Sequence, residues 1–364
     1  MTIRIATFNA ENLFRRPVVF GIEDAAKRRG VLDAFNRLIE LLGHSEYTRD
    51  DKTEILGILA AHGVDSAQET STRAIALNEP RGGARLLRIQ GGVVEVRAKG
   101  RPHWVGWVEL VRGDLSLEGV KNTARVIAEV DADLLLTVEV EDRLTLHRFN
   151  EQVLAGQLGA RPYPFNLLID GNDSRGIDVG VLSRHPITSV RSHIFDTREG
   201  DPVFSRDCPE FEVDFGHGVR LWLLGNHFKS KIGNPADTLR QRKRQAERVA
   251  AMYRAALDRC ARVVVAGDLN DTLDSEPLAF LLTAGLRDAM THPSYTGDPG
   301  THGDGESPGD KLDYLMFSPE LWDTVQAVDV ERRGIFTPGK CFETVTSKGD
   351  QASDHAALFA DLAL

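Results

Sequence analysis

Seven apolar runs in this chain end at, or run into, side chains able to bind a cation, hold a phosphate or move a proton. Asn9 and Glu11 follow "IRIATF", Glu139 and Glu141 lie in "TVEVED", and Asp178 lies in "RGIDVGVLSR". Asn226 and His227 lie in "GNHFKSK", Asp268 and Asn270 in "GDLND", Asp313 in "DKLDYL", and Asp354 with His355 in "SDHAAL". Carboxylate and amide oxygens suit a hard divalent cation better than zinc. A carboxylate near water can take its proton, and an imidazolium can donate to an anionic oxygen. Taken singly, each residue has a plainer explanation: a buried amide satisfying backbone, a strand-end charge, a helix cap or a structural histidine. Their recurrence at strand ends points to one site, because a rigid scaffold fixes positions there while loops give access.

The elements that must position them are strands at 3–8, 132–140, 177–183, 219–228, 261–269, 313–318 and 357–362. Helices are expected at 116–130, opened by the cap Ser116, and at 237–258, opened by Asp237. Strands interleaved with helices indicate α/β layers rather than a helical bundle or an all-β sandwich. Segment 16–115 differs in kind. It reads as two helices, roughly 22–43 and 50–62, and a hairpin turning at Gly91-Gly92. Residues 297–310 form a Gly/Pro-rich loop, and no internal repeat is found.

Of the 364 residues, 41% are hydrophobic and 27% charged, enough apolar material for a sizeable core. A formal charge of −10 argues against a surface that grips nucleic acid all over, although a local basic groove or a bound cation can reverse the sign. Cys208, Cys260 and Cys341 are widely separated, which indicates neither a disulfide framework nor a zinc knot and fits a reducing compartment. With no leader-like start and no apolar run near the ~18 residues that span a membrane, a cytoplasmic protein without a transmembrane segment is expected. No stable protein partner is indicated.

Together, "TFNAENLF", "TVEVED", "GIDVGVLSR", "NHFKSK", "GDLND", "KLDYLMFS" and the terminal "SDH" resemble, in order, the motifs of the endonuclease/exonuclease/phosphatase superfamily. That group includes deoxyribonucleases, abasic-site endonucleases, deadenylases, sphingomyelinases and inositol-polyphosphate phosphatases. The resemblance covers 1–15 and roughly 116–364, and it implies a four-layer αββα sandwich of α/β (α+β) type with 16–115 as a large insertion. It also implies a metal-dependent phosphodiesterase using Mg²⁺, with Mn²⁺ as a substitute. The metal would be held by Glu139, Asn9 and Asp354. Asp268 would activate water and Asn270 orient it. His227 and His355 would donate to the phosphate oxygens, His355 oriented by Asp313 and His227 by Asp178. Val138 stands where the family usually has glutamine, which puts a supporting or substrate contact in doubt.

The expected substrate is nucleic acid. Residues 73–125 hold ten Lys/Arg against five Asp/Glu, and Trp104 and Trp107 are available for stacking, unless they are simply core. Lys229, Arg85, Arg88, Arg97, Arg101 and Trp104 are the candidate substrate contacts. Asn9 and Glu139 stand 130 positions apart, so the insertion is expected to overhang the cleft. Two alternatives remain: a phosphatase or phosphodiesterase of a small or lipid-headgroup phosphate (inositol phosphate, sphingomyelin-like, nucleotide), and a catalytically silent binding scaffold.

Overall fold

The computed structural model describes residues 1–11, 13, 15–22, 24–64, 74–79, 84–114, 116–173 and 176–364. The chain divides into two compact units: residues 1–14 with 115–364, and residues 15–114.

The strands of the larger unit's two main sheets are β1 (Thr2–Asn9), β2 (Leu134–Val140), β3 (Phe165–Ile169), β4 (Asp178–Ser183), β5 (Ile187–Arg191) and β6 (Glu210–Asp214). They continue with β7 (Arg220–His227), β8 (Val263–Asp268), β9 (Arg287–Asp288), β10 (Asp313–Phe317), β11 (Val325–Glu331) and β12 (Ala357–Ala363). One six-stranded sheet runs β11-β12-β1-β2-β4-β3, and the other runs β5-β6-β7-β8-β10-β9. Each has a single parallel pair near its middle, β1 with β2 and β7 with β8. Strands in a parallel pair finish at the same edge, so each pair brings two strand ends together.

The central strands are apolar on both faces because both are covered. Ile3, Ile5, Leu134, Leu136, Val138, Val179 and Val181 of one sheet pack between the sheets against Phe211, Leu223, Val264, Ala266 and Phe317 of the other. On the outer face of the first sheet, helix α1 (Leu117–Val130) adds Val120, Ala124 and Ile127 to a cluster with Phe8 and Leu135. Outside the second sheet, α2 (Pro235–Leu257) adds Ala246, Val249 and Tyr253 to one with Val263, Val265 and Tyr314. The order helix, sheet, sheet, helix is the expected four-layer sandwich. Burying each of these Val, Leu and Phe side chains is worth about 1.5–3 kcal/mol, so the layers on either side of each sheet hold the strands that carry the site.

Two local expectations meet different outcomes. Ser116 caps α1, its side chain accepting from Gly119 N–H. The cap of α2 is Asn234 rather than Asp237. Asn234 accepts from Ala236 and Asp237 N–H, Pro235 takes the first helical position, where no N–H is needed, and Asp237 sits in the first turn. The strands β3, β5, β6 and β11 have no counterpart in the sequence reading. Most expose one face, and their polar residues interrupt the apolar runs.

The smaller unit has its own core, in which Phe35, Leu38, Leu41, Ile55, Leu59, Trp104 and Val108 pack together. Its helices are Ala25–Gly43, capped by Asp24, and Arg49–Ala61, opened by a Thr48/Asp51 capping box. The hairpin pairs Leu87–Gln90 with Val93–Val96, and Gly91 and Gly92 take φ of 58° and 80° between them.

A buried ionic cluster ties β6 to the segment after β5. His193 Nδ1 lies 2.9 Å from Asp196 and Nε2 lies 2.8 Å from Glu210, Asp207 accepts from His193 N–H, and Arg248 and Arg259 flank the two carboxylates. Burial pulls the His193 pKa down, but Glu210 and Asp196 outweigh it and hold it above the ordinary 6.5. A cation favoured in the folded state stabilises fully below the unfolded value and loses its contribution as pH rises through the folded one. Stability in urea should therefore decline as pH climbs from 6.5, and His193→Gln should flatten that slope. An equal slope in the mutant would assign it to other groups.

Candidate active site

The register of the central strands determines the site. His227 pairs with Asp268 across β7 and β8, and Asp268 pairs with Asp313 across β8 and β10, which sets three functional residues in a row. Gly267 precedes Asp268 at φ 125°, where a Cβ would stand 1.8 Å from the Asn226 carbonyl oxygen, so only glycine fits where β8 passes β7. On the other sheet Asn9 ends β1 beside Val138. Val140 pairs with Asp178 and Val138 with Val179, so Glu139 is the extra residue of a bulge, at φ 60°. The bulge flips the strand's phase, since Val138 packs between the sheets and Val140 packs toward the helices. Glu11 and Asn270 also take positive φ, at 47° and 51°. Strained backbone of this kind in non-glycine residues concentrates at functional sites.

Asn9 joins the two sheets. Its Nδ2 lies 3.2 Å from Asp268 Oδ2 and 3.4 Å from Glu139 Oε1, while its Oδ1 accepts from Glu11 N–H. Asn270 supports the same carboxylate, donating from its backbone to Oδ1 at 2.8 Å and from Nδ2 to Oδ2 at 3.1 Å. His227 Nε2 faces Asp268 at 3.6 Å and Glu139 at 3.7 Å. His355 Nδ1 is 2.7 Å from Asp313 Oδ2. Burial lifts the Asp268 pKa to about 7; the His355 cation opposes this, and Asp313 and Glu139 add to it. For His355 burial acts downward, but Asp313, then Asp268 and Asp354, hold the imidazole well above its ordinary range. A buried carboxylate shifted toward neutrality beside a histidine held cationic places two strongly perturbed acid–base groups in one site.

The placement of Asp178 differs from expectation. Its carboxylate accepts from Gly171 N–H at 2.7 Å, with Asp170, Asp173 and Arg206 as its charged neighbours, and burial lifts its pKa to about 7. It does not orient His227; the carboxylates nearest that ring in the site are Glu139 and Asp268. The β4 side chain at 178 turns toward the loop that crosses its own end, a direction that period-two counting does not give across a bulge. Val138 is fully buried in the inter-sheet layer, so no polar side chain from that position enters the site.

Lys229, two residues beyond His227, is partly buried, its N–H bonded to Gln245 and its carbonyl to Arg242. In the smaller unit Arg85, Arg88, Arg97 and Arg101 are exposed, with Arg88 beside Glu95. Trp104 is core: it is 4% exposed, its indole donates to Tyr47 Oη at 2.8 Å, and Arg101 covers its ring. It offers no open face for stacking, whereas Trp107 is exposed.

Three participants escaped the sequence reading. Thr301 accepts from Leu312 and Asp313 N–H, so its own hydrogen goes to Asp313 Oδ2 at 2.7 Å, the oxygen that holds His355. Arg206 donates to the Phe228 carbonyl, as does Asn270, and so braces the chain after His227. His302 lies edge-on to His355, ring centroids 4.9 Å apart. The "TH" pair in the Gly/Pro-rich loop was the available signal for Thr301 and His302.

Glu139, 18% exposed, lies against Asn9 and His227, and Asp354, 44% exposed, lies beside His355; carboxylate oxygens of this kind suit a hard divalent cation. The arrangement can hold a cation, take a proton from water at Asp268 and donate to an anion from His355. A cavity of about 830 Å³, lined by Thr272, Leu273, Met290, Tyr295 and Lys311 among others, includes none of these site residues in its lining. Among the described residues no helix is long and apolar enough to cross a membrane.

A truncated TDP2 from Caenorhabditis elegans is 18% identical, over 68% of this chain and 90% of that one, with a TM-score of 0.45. An endonuclease/exonuclease/phosphatase from Beutenbergia cavernae is 21% identical over 67% and 66%, at 0.47. A family protein from Bacteroides thetaiotaomicron is 16% identical over 67% and 89%, at 0.49. No curated protein sequence matches the chain. The model of the endonuclease/exonuclease/phosphatase family matches residues 111–355, two thirds of the sequence and every motif from Glu139 to His355. The chain therefore belongs to that family, whose members are hydrolytic phosphoesterases that typically use divalent metals.

Proposed function

We propose that the protein is a Mg²⁺-dependent phosphodiesterase acting on nucleic acid, as a nuclease of DNA or RNA. The observation that carries this reading is the meeting of Asn9, Glu139, His227, Asp268, Asn270 and the Asp313–His355 pair at one end of the sandwich. A phosphodiester resists hydrolysis because water must approach an anion and expel a poor leaving group. A cation held by Glu139 and Asp354 neutralises phosphate charge when bound. Asp268 takes the proton of the attacking water at its Oδ2, and Asn9 and Asn270 keep that carboxylate aimed. His355 gives hydrogen-bond donation from Nε2 to a non-bridging oxygen, with Asp313 and Thr301 holding the ring's orientation and its charge. His227 supplies a second donor facing Asp268 and Glu139.

The substrate test is a panel of plasmid DNA, single-stranded oligonucleotides, RNA, inositol phosphates and sphingomyelin with Mg²⁺. Cleavage of polynucleotides and of none of the small phosphates is expected. The basic hairpin supports the choice of polynucleotide. Changing Arg85, Arg88, Arg97 and Arg101 to alanine should raise KM for DNA or RNA and flatten its salt dependence, leaving a small chromogenic phosphodiester nearly unchanged. Equal losses on both substrates would make the hairpin structural, and no loss on either would remove it from substrate binding.

A further inference from the structure

The Gly/Pro-rich loop 297–310 carries a histidine that the proposed reaction does not use. Its backbone is pinned on both sides of that residue. Thr301 and His302 N–H both donate to the Asp310 carbonyl at 2.9 Å, Gly303 N–H to the Asp354 carbonyl at 2.9 Å, and Ala356 N–H to the Thr301 carbonyl at 2.7 Å. His302 and His355 face each other in an isolated antiparallel bridge. The chain thus sets His302 opposite the Asp354–His355 pair by backbone bonds alone.

The side chains converge without hydrogen-bonding to one another. His302 Nε2 is 3.6 Å from Asp354 Oδ2, and His355 Nε2 is 3.9 Å from Asp354 Oδ1, both beyond the 2.7–3.2 Å of an N–H···O bond. Two ligands that each stand about 2.0–2.2 Å from one cation are roughly 3–3.6 Å apart, which is the spacing of the first pair. All three residues offer donor atoms within 4.8 Å of one another. His355 already gives Nδ1 to Asp313 at 2.7 Å, the carboxylate–histidine pairing that leaves Nε2 directed at a metal. His302 is 39% and Asp354 44% exposed, so an ion reaches the cluster from solvent.

The geometry points to a second cation site, formed by His302, Asp354 and His355, that takes a transition metal of the Mn²⁺, Co²⁺ or Zn²⁺ class in preference to Mg²⁺. Two of its three donors are imidazole nitrogens, which favour such ions, whereas Glu139 offers only oxygen. Resting on the proposed reaction for the role of His355, the consequence is inhibition: a metal that binds Nε2 displaces that nitrogen's proton to solvent and leaves none to donate to phosphate.

Co²⁺ in excess Mg²⁺ is the probe, added to the intact protein without substrate and followed by calorimetry and visible absorption. One Co²⁺ should bind, and His302→Ala and Asp354→Asn should each weaken it by at least about tenfold, whereas Glu139→Gln should not. His302 is 39% exposed and the bonds that pin its loop come from the backbone, so alanine there leaves them in place. Unchanged Co²⁺ affinity in His302→Ala would overturn the site, as would binding that is lost in Glu139→Gln and kept in His302→Ala. Because this arm needs no turnover, its failure is separate from failure of the phosphodiesterase reading. If the enzyme is active, Co²⁺ should inhibit Mg²⁺-supported hydrolysis, with a half-inhibitory concentration at least about tenfold higher in His302→Ala; an equal concentration in both would overturn the inhibitory role.

Discussion

Asp268→Asn should lower kcat for phosphodiester hydrolysis by a factor on the order of 10² or more, with little change in KM. Asparagine keeps the size of the side chain and an oxygen to accept from Asn270 N–H, but it cannot take a proton from water. The carboxylate sits where that loss matters. It is buried, lifted to about 7 chiefly by burial, supported by Asn9 and Asn270, and set against His227 and Asp313 by strand register. No apolar contact is removed, so far-UV circular dichroism should match wild type. A mutant of near-wild-type kcat at saturating Mg²⁺ would transfer the role of base to another group.

His355→Ala should have an effect of similar size, on the order of 10² or more in kcat, because it removes the donor to the oxygen on which charge grows in the transition state. Asp313 and Thr301 meet at the oxygen that bonds His355 Nδ1. Thr301→Val should therefore lower kcat in the same direction by a smaller factor, since it loosens the orientation of the imidazole without deleting it. If His355→Ala left turnover intact while Thr301→Val reduced it, the pair would be structural rather than catalytic.

The central strands were legible because burial on both faces leaves uninterrupted apolar runs. Val263, Val264 and Val265 announce β8, and their polar terminus announces a site. Strands with one open face, such as β5, with only its alternate residues half-buried, carry a weaker pattern and went unread. Within the site, the acids and histidines were visible as residue types, but their directions were not. The bulge at Glu139 changes which face each later residue of β2 occupies, and Asp178 opposite it turns to Gly171 instead of His227. Composition left Trp104 open as a stacking platform or as core, and its indole N–H finds Tyr47 inside the smaller unit, as buried tryptophans usually find a partner. Thr301 and His302 come from a loop whose glycines and prolines conceal any period. Backbone bonds to Asp310, Asp354 and Ala356, with the Thr301 hydroxyl on Leu312 and Asp313, bring them to the site.

The most direct measurement is hydrolysis of a chromogenic phosphodiester and of supercoiled plasmid by wild type and Asp268→Asn, each with Mg²⁺ and with EDTA. Turnover by wild type in Mg²⁺, abolished by EDTA, restored by added Mg²⁺ and reduced at least about a hundredfold in the mutant is the predicted result. Hydrolysis that persists in EDTA and proceeds equally in Asp268→Asn would contradict the assignment of a metal-assisted reaction to this site.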